Sequence, residues 1–559
     1  MSDSEPQDRE ATLAASLASA VQTGGLFNSD RGPAEPFDAK WWDAGATVVK
    51  AETIRDIAIG KLIEKPDPRG LRILGVKIGG RLDLKYLNVA FPLQFWACYF
   101  PEGIDLRDAA FADVTLAGCR IECADRSPLM AARTKVDVLR LTKSRITADV
   151  EIGAAHLQGA QIGNLIADGI RITNRSGPAV SADGMTVRQE FFLRDGVKIS
   201  GEGKKGAVHM IGASVGHFEL TGDSEIRNLS GPGVIADGIR VGQGLFVKHG
   251  AVVTGAGPLA ALRLVGAHVG RVELSDSRIF NLSGPALDAG GLRAEQGIFF
   301  TDGFEAFGAT GAGVVRLDRA KTDGGFVFEA SRLINLTDEG ALIHVDGLTY
   351  PGLPIGQSLS WWLNTLDRST PNYAAQPYQH LAAAYSAAGH DSEARRTRIA
   401  QRKSQIRRGA LTERRERVWA RFTGLALGYG YQPWRALLSL FLLALIAIGI
   451  SVFSESAYSH TKSSTENSAS SRATSSPNNA YSHTRGSPGS GAPCSALERV
   501  GVALDVSIPL IKTNARSSCD LNTTPTGQRL TVVHWVIQVL AWGFATLFVA
   551  GFTSVVRKT

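Results

Sequence analysis

A short motif recurs down the middle of the chain at a nearly constant step. Asn174-Arg175-Ser176-Gly177-Pro178 returns as Asn228-Leu229-Ser230-Gly231-Pro232 and Asn281-Leu282-Ser283-Gly284-Pro285, then fades into Asn335-Leu336-Thr337. The steps are 54, 53 and 54 residues. A fixed period of this length means stacked units that contact only their neighbours. Each unit is itself doubled: Leu264-Val265-Gly266-Ala267-His268-Val269-Gly270 echoes Ala236-Asp237-Gly238-Ile239-Arg240-Val241-Gly242, so the basic coil is nearer 26 or 27 residues.

Within a coil, apolar residues recur every five, as at Leu264, Val269, Leu274 and Ile279. Neither a helix nor a single straight strand has that period. It fits strands of two or three residues that turn a corner at Gly, Asp or Asn, with one apolar side chain per face pointing inward. The 61 glycines supply such corners. The pattern predicts a mainly β chain, a right-handed parallel β-solenoid over 68–350 with roughly ten coils. Residues 1–67, with Trp41-Trp42 and the stretch 48–63 as apolar part, are expected to cap its first edge.

Residues 351–400 change to a helical pattern. Tyr378-Gln379-His380-Leu381 opens an Ala-rich segment, Gly389-His390-Asp391 breaks it, and Asp391 can cap a second helix. One such tetratricopeptide-like pair cannot bury its own face, so it should pack on the solenoid end or on a partner.

The net charge of +7 is concentrated in a basic segment, 401–435. Eleven Arg or Lys fall between Arg395 and Arg421, opposed there only by Glu413 and Glu416. Arg407, Arg408, Arg414, Arg415, Arg417 and Arg421 are placed to meet anionic lipid headgroups. Interleaved aromatics that would favour nucleic acid are absent, so no nucleic-acid partner is expected.

Two uncharged apolar runs follow, 436–453 and 530–556, each long enough to cross a bilayer. Basic residues flank their outer ends, which predicts two spans of the plasma membrane with both termini cytoplasmic. The acidic start, Met1-Ser2-Asp3-Ser4-Glu5, lacks the apolar core of a signal peptide. Only 454–529 would face outward. Its 454–493 part is Ser-rich and of disordered composition. Cys494 and Cys519 would both lie on the oxidising side, where a disulfide can form. The stretch 497–511 could lie on the membrane, dip into it or stay in the outer loop.

Several patterns imitate sites. Gly201-Glu202-Gly203-Lys204-Lys205-Gly206 satisfies a dinucleotide fingerprint but has strand patterns on both sides, so it reads as a corner. The Asn-x-Ser/Thr triplets sit at the repeat phase and read as corner asparagines. Glu219 and Glu273 also recur in phase, which argues for structure. Cys98, Cys119 and Cys123 read as small buried residues, with no metal-ligand spacing. No catalytic, cofactor-binding or metal-ligating set emerges.

The Ala-Asp-Gly-Ile239 and Gly-Ala-x-Val269-Gly270 strand patterns carry a family resemblance. So do Gln376-Pro377-Tyr378-Gln379-His380-Leu381, Gly428-Tyr429-Gly430-Tyr431-Gln432-Pro433-Trp434 and Leu504-Asp505-Val506-Ser507-Ile508-Pro509. Over about 70–559 the chain resembles a group of actinobacterial proteins labelled membrane-associated oxidoreductases. Its solenoid is similar to a relaxed pentapeptide-repeat β-helix. The label implies redox chemistry, but no residue of the chain supplies it. Three readings follow: a non-catalytic membrane-anchored scaffold with a protein partner on the solenoid, a membrane-associated oxidoreductase, and an oligomeric channel-like protein. A homo-oligomer is compatible with each.

Overall fold

The computed structural model describes residues 4–28, 42, 46–337, 340–408, 415, 434–460, 493–508 and 512–556. The chain forms two compact units, Met1–Gln401 and Arg402–Thr559.

The first unit is a parallel β-solenoid built from three sheets that each take one strand per turn. Sheet A runs from Phe27–Asn28 to Lys321–Thr322, sheet B from Val48–Lys50 to Arg332–Asn335, and sheet C from Leu82–Asp83 to Ile343–His344. Sheet C has eleven strands, which sets the number of turns at about eleven. One coil shows the route: Leu262–Arg263 in C, His268–Ser275 in A, Ser277–Asn281 in B, then Leu287–Asp288 in C again. Leu264, Val269, Leu274 and Ile279 are all buried, so the five-residue period marks successive inward positions around one turn. Left-handed residues make the corners, among them Asp276 (φ 41°) and Asp302 (φ 47°) between sheets A and B.

The strands differ from the short ones expected. Sheet C keeps pairs of residues, but sheet A strands reach nine, as at Arg293–Thr301. Each long strand carries two of the expected faces, joined across a bend where the ladder slips register. The slip explains why the repeat is doubled. Val187 to Phe191 and Val241 to Leu245 span four steps, whereas the coils they pair with take three, Val215 to Phe218 and Val269 to Val272. From Ile162 to Ile298, unbulged and bulged coils therefore alternate. The unbulged coils carry glycine at the bend, Gly163, Gly216 and Gly270, again 53 or 54 residues apart. A Cβ on Gly270 would stand 2.1 Å from the carbonyl oxygen of Gln243 in the bulged coil below.

Sheet B alternates for a similar reason. Asn228 pairs with Gly201, Asn281 with Gly255, and Asn335 with Gly308. The Asn281 amide is fully buried and donates to the carbonyls of Leu259 (2.7 Å) and Pro285 (2.8 Å). These asparagines satisfy backbone of their own coil and of the adjacent one, so Asn174, Asn228 and Asn281, which begin the glycan-like triplets, are inward-facing.

Both ends of the solenoid are covered. Helix α1 (Ser4–Thr23) and helix α2 (Ala51–Ala58) bury Leu17, Val21, Ile54 and Ile57 in the common core. Between them Phe27–Asn28 and Val48–Lys50 pair with the next strands of sheets A and B, so the first turn starts inside residues 1–67. Trp42 is buried, and Trp41 lies outside the described residues. At the far end, helix α3 (Leu359–Arg368) sets Trp361 and Trp362 against Phe328, with ring centroids 5.7 and 5.9 Å away. Helix α4 (Gln376–Ala387) adds Tyr378 and Leu381 to the same core, so it packs on the solenoid end. Helix α5 (Asp391–Arg407) follows.

The second unit is helical. Helix α6 (Trp434–Phe453) leads to a strand, Tyr458–His460, which pairs antiparallel with Cys519–Leu521. Helix α7 (Ala496–Ser507) starts with a capping box from Ser495 and Glu498, and helix α8 (Ala515–Ser518) is one turn long. Helix α9 (Pro525–Val556) closes the chain. Helices α6 and α9 are long and apolar enough to cross a membrane. Only 22% and 17% of their most apolar windows are buried, with Phe441, Leu442, Trp535 and Val539 among the exposed side chains. Helix α7 packs against both: Ala503 and Val506 form a small core with Ala447 of α6 and Ile537 of α9.

Candidate functional site

The bend in sheet A leaves a groove of about 620 Å³ on the outside of the solenoid. Three columns of residues, one set per coil, line it over six coils from Thr186 to Asp323. The first column is the start of each strand. Thr186, Ser214, Arg240, His268, Arg293 and Lys321 stand in register, each directly over the last. The second column, including Val215, Val241 and Val269, points into the core. The third is Arg188, Gly216, Gly242, Gly270, Glu295 and Asp323. Its three central glycines leave the groove without a second wall.

Charge is uneven along the groove. Arg188 pairs with Asp137 (2.6 Å) and Lys321 with Asp323 (2.9 Å). His268 turns its Nδ1 to the Gly266 carbonyl of its own coil. Arg240 and Arg293 are exposed and make no hydrogen bond or ion pair among the described residues. They lie two coils apart, about 9.6 Å at the usual strand spacing. Like charges stacked along a sheet repel, so this column is not arranged for stability.

Beyond the bend the same sheet carries a different surface. Phe192, Glu219, Phe246, Glu273 and Phe299 alternate in one column. Arg194 lies 3.9 Å from the Phe192 ring centroid, Lys248 4.2 Å from Phe246 and Arg271 4.1 Å from Phe299. Glu273 is held by Lys248 (2.7 Å) and Arg271 (2.5 Å). Recurrent Glu219 and Glu273 thus belong to a packed ladder with cation–π contacts to the flanking rings, in which Glu273 is paired by two cations while Glu219 faces His217 at 3.9 Å and accepts from the Thr221 hydroxyl at 3.5 Å.

Sheet C also neutralises itself. Arg107 holds Asp105 (2.7 Å), Arg263 holds Asp237 (2.8 Å) and Arg316 bridges Asp288 (3.0 Å) and Asp318 (3.3 Å). Burial pushes the Asp105 carboxyl up, but hydrogen bonds from Arg107 outweigh it and leave the pKa below the ordinary value. Burial, with Arg107 and Arg133 nearby, lowers the pKa of His156.

The residues singled out from sequence are scattered. Cys494 and Cys519 are joined, with Cα atoms 6.1 Å apart. His460 and Glu498 lie beside Cys494, but its sulfur is taken up by the disulfide and Glu498 caps α7. Arg407 ends α5, Arg408 follows it, and Arg415 is exposed. Arg414, Arg417 and Arg421 lie outside the described residues. Cys98, Cys119 and Cys123 are buried free thiols, and burial pushes the Cys119 thiol up. Gly201 ends one strand and Gly206 precedes another, with left-handed Gly203 and Gly206 making the corner between them.

The groove itself escaped the sequence reading. Its column emerges only when coils of unequal length are set in register. Comparison of the chain with family models, with curated proteins and with solved structures returns no match.

Proposed function

We propose that this protein is a membrane-anchored scaffold. Its solenoid lies at the cytoplasmic face of the plasma membrane and presents a long regular surface to a protein partner. The carrying observation is the joining, in one chain, of an eleven-turn solenoid and two largely exposed apolar helices. Exposed leucines and phenylalanines on α6 and α9 are favourable in lipid and costly in water. The basic segment, with Arg407, Arg408 and Arg415 and the neighbouring Arg414, Arg417 and Arg421, would sit against anionic headgroups. Many outward charges on two faces are paired internally, which suits a rigid surface more than a reaction centre.

The test is photocrosslinking in cells from outward positions of each sheet in the full chain. A protein adduct confined to one face is expected. Absence of adducts from every face would contradict a scaffold. A flavin or haem absorption band at one per chain in the purified protein would instead favour the membrane-associated oxidoreductase reading.

One observation favours a second reading, an oligomeric channel-like protein. A short helix, α7, packs between the two apolar helices with Ala503 and Val506 against both. Conductance in planar bilayers, lost on disrupting α7, would support it over the scaffold.

A further inference from the structure

The scaffold reading leaves open what the solenoid would hold and where. Three outward surfaces compete. In the Phe/Glu column beyond the bend the cations Lys248 and Arg271 are taken up by Glu273 and by the Phe246 and Phe299 rings, and Glu219 would repel an acidic ligand. Sheet C is likewise neutralised along its length. The groove at the bend of sheet A combines concavity with two arginines, Arg240 and Arg293, that make no ion pair among the described residues, beside a single exposed carboxylate, Glu295, that makes none either.

We propose that this groove is a docking site for an extended acidic peptide segment of a partner protein, with Arg240 and Arg293 as its two anchors. The proposal rests on the scaffold reading and names the chemistry of the partner.

Geometry sets the ligand's form. The groove runs along the stacking direction, across the strands, over six coils, on the order of 24 Å from first to last. A chain lying in it crosses the solenoid strands and cannot extend their ladder. A polyproline II segment suits that path, because it needs no ladder partner. In that form residues i and i+3 fall on one face about 9.3 Å apart. Arg240 and Arg293, two coils apart, are separated by about 9.6 Å. Two carboxylates three residues apart therefore match two guanidinium groups, each able to take a carboxylate in a two-pronged hydrogen bond. His268 lies between them in the same column.

The glycines supply a second argument. Gly216 and Gly270 are required by the fold, since a Cβ would stand 2.4 and 2.1 Å from backbone oxygens. Gly242 is not: its nearest neighbour would be 3.6 Å away, and its φ lies outside the left-handed region. The fold tolerates a side chain at 242, yet the groove is open there. No base-stacking aromatic lines the groove, which favours a peptide over single-stranded nucleic acid.

The test uses the full-length protein in detergent and a fluorescein-labelled peptide of four Glu-Pro-Pro units, read by anisotropy. Saturable binding that weakens with salt is expected, with no binding of the Gln-Pro-Pro counterpart. The double variant Arg240→Glu/Arg293→Glu should weaken binding on the order of tenfold or more, through lost pairs and new repulsion. Gly242→Leu should weaken it by filling the groove, without touching either arginine. An unchanged melting curve keeps loss of binding from being read as loss of fold. Absence of binding, or binding indifferent to both variants, would overturn the proposal. Tighter binding of an oligo-dT strand, lost in the same variants, would reassign the groove to nucleic acid. If the peptide fails while crosslinks persist from another face, only the groove assignment falls; if crosslinks are absent from every face, the scaffold reading falls with it.

Discussion

Gly270 and Gly242 occupy equivalent bends in adjacent coils, and alanine should affect them in opposite directions. At Gly270 the added Cβ would stand 2.1 Å from the Gln243 oxygen and 2.6 Å from the Gly242 oxygen. Ordinary contact requires the two coils to part locally by about 1 Å. Overpacking of this kind costs about 1–3 kcal/mol. Weakening two ladder hydrogen bonds adds about 0.5–1.5 kcal/mol each. Together the two contributions give a loss of about 4 kcal/mol at their midpoints. At Gly242 the new methyl meets nothing closer than 3.6 Å, so the change acts mainly on the unfolded chain. That is worth about 0.4–1 kcal/mol of added stability. Because a solenoid opens locally, global melting would blur the contrast. Hydrogen exchange read on the strands Arg240–Val247 and His268–Ser275 separates the cases. Gly270→Ala should speed exchange there on the order of a thousandfold, and Gly242→Ala should leave it equal or slower. Equal loss of protection in both variants would refute the alternation of bulged and unbulged coils as the origin of the doubled repeat.

Three further outcomes are expected. Asn281→Ala strands the carbonyls of Leu259 and Pro285 and should cost about 3 kcal/mol, and Asn281→Asp should not rescue it because a carboxylate has no proton to donate. The His156 pKa is lowered by folding, so its contribution is present above the unfolded value near 6.5 and is lost as pH falls through the folded one. The solenoid melting temperature should therefore decline from pH 7 to pH 5, and His156→Met, which copies Met130 in the adjacent coil, should flatten that decline. Cys494→Ser opens a 25-residue loop and should cost roughly 3 kcal/mol in the second unit, seen by calorimetry, while the solenoid transition keeps its temperature.

The solenoid was legible because one inward residue per face is a strong constraint. Leu264, Val269, Leu274 and Ile279 each fill a place in the core, and so the five-residue step survives in the sequence. The Asn–Gly alternation was visible as a period, but its cause was not. That cause lies between coils, in the fit of Gly255 beside Asn281 and of Gly270 over Gln243. Sheet A strands were read too short because the bend does not break the backbone ladder. The first turn was read too late because Phe27–Asn28 and Val48–Lys50 are brief and separated by a long insertion. The cationic column stayed hidden for a related reason: Arg240, His268, Arg293 and Lys321 are separated by 28, 25 and 28 positions. Helix α7 covers most of the stretch 497–511, whose placement the sequence left open, because its seat between α6 and α9 depends on small side chains whose partners are distant in sequence.

The central claim is a solenoid held on the cytoplasmic side of a membrane by two spans. Protease protection in intact spheroplasts tests it most directly, with one epitope inserted within 461–492 and another after Thr559. The account predicts cleavage of the outer-loop epitope by external protease, with the C-terminal epitope and the solenoid protected until the membrane is breached. Protection of the 461–492 epitope, or cleavage after Thr559 in sealed spheroplasts, would contradict it.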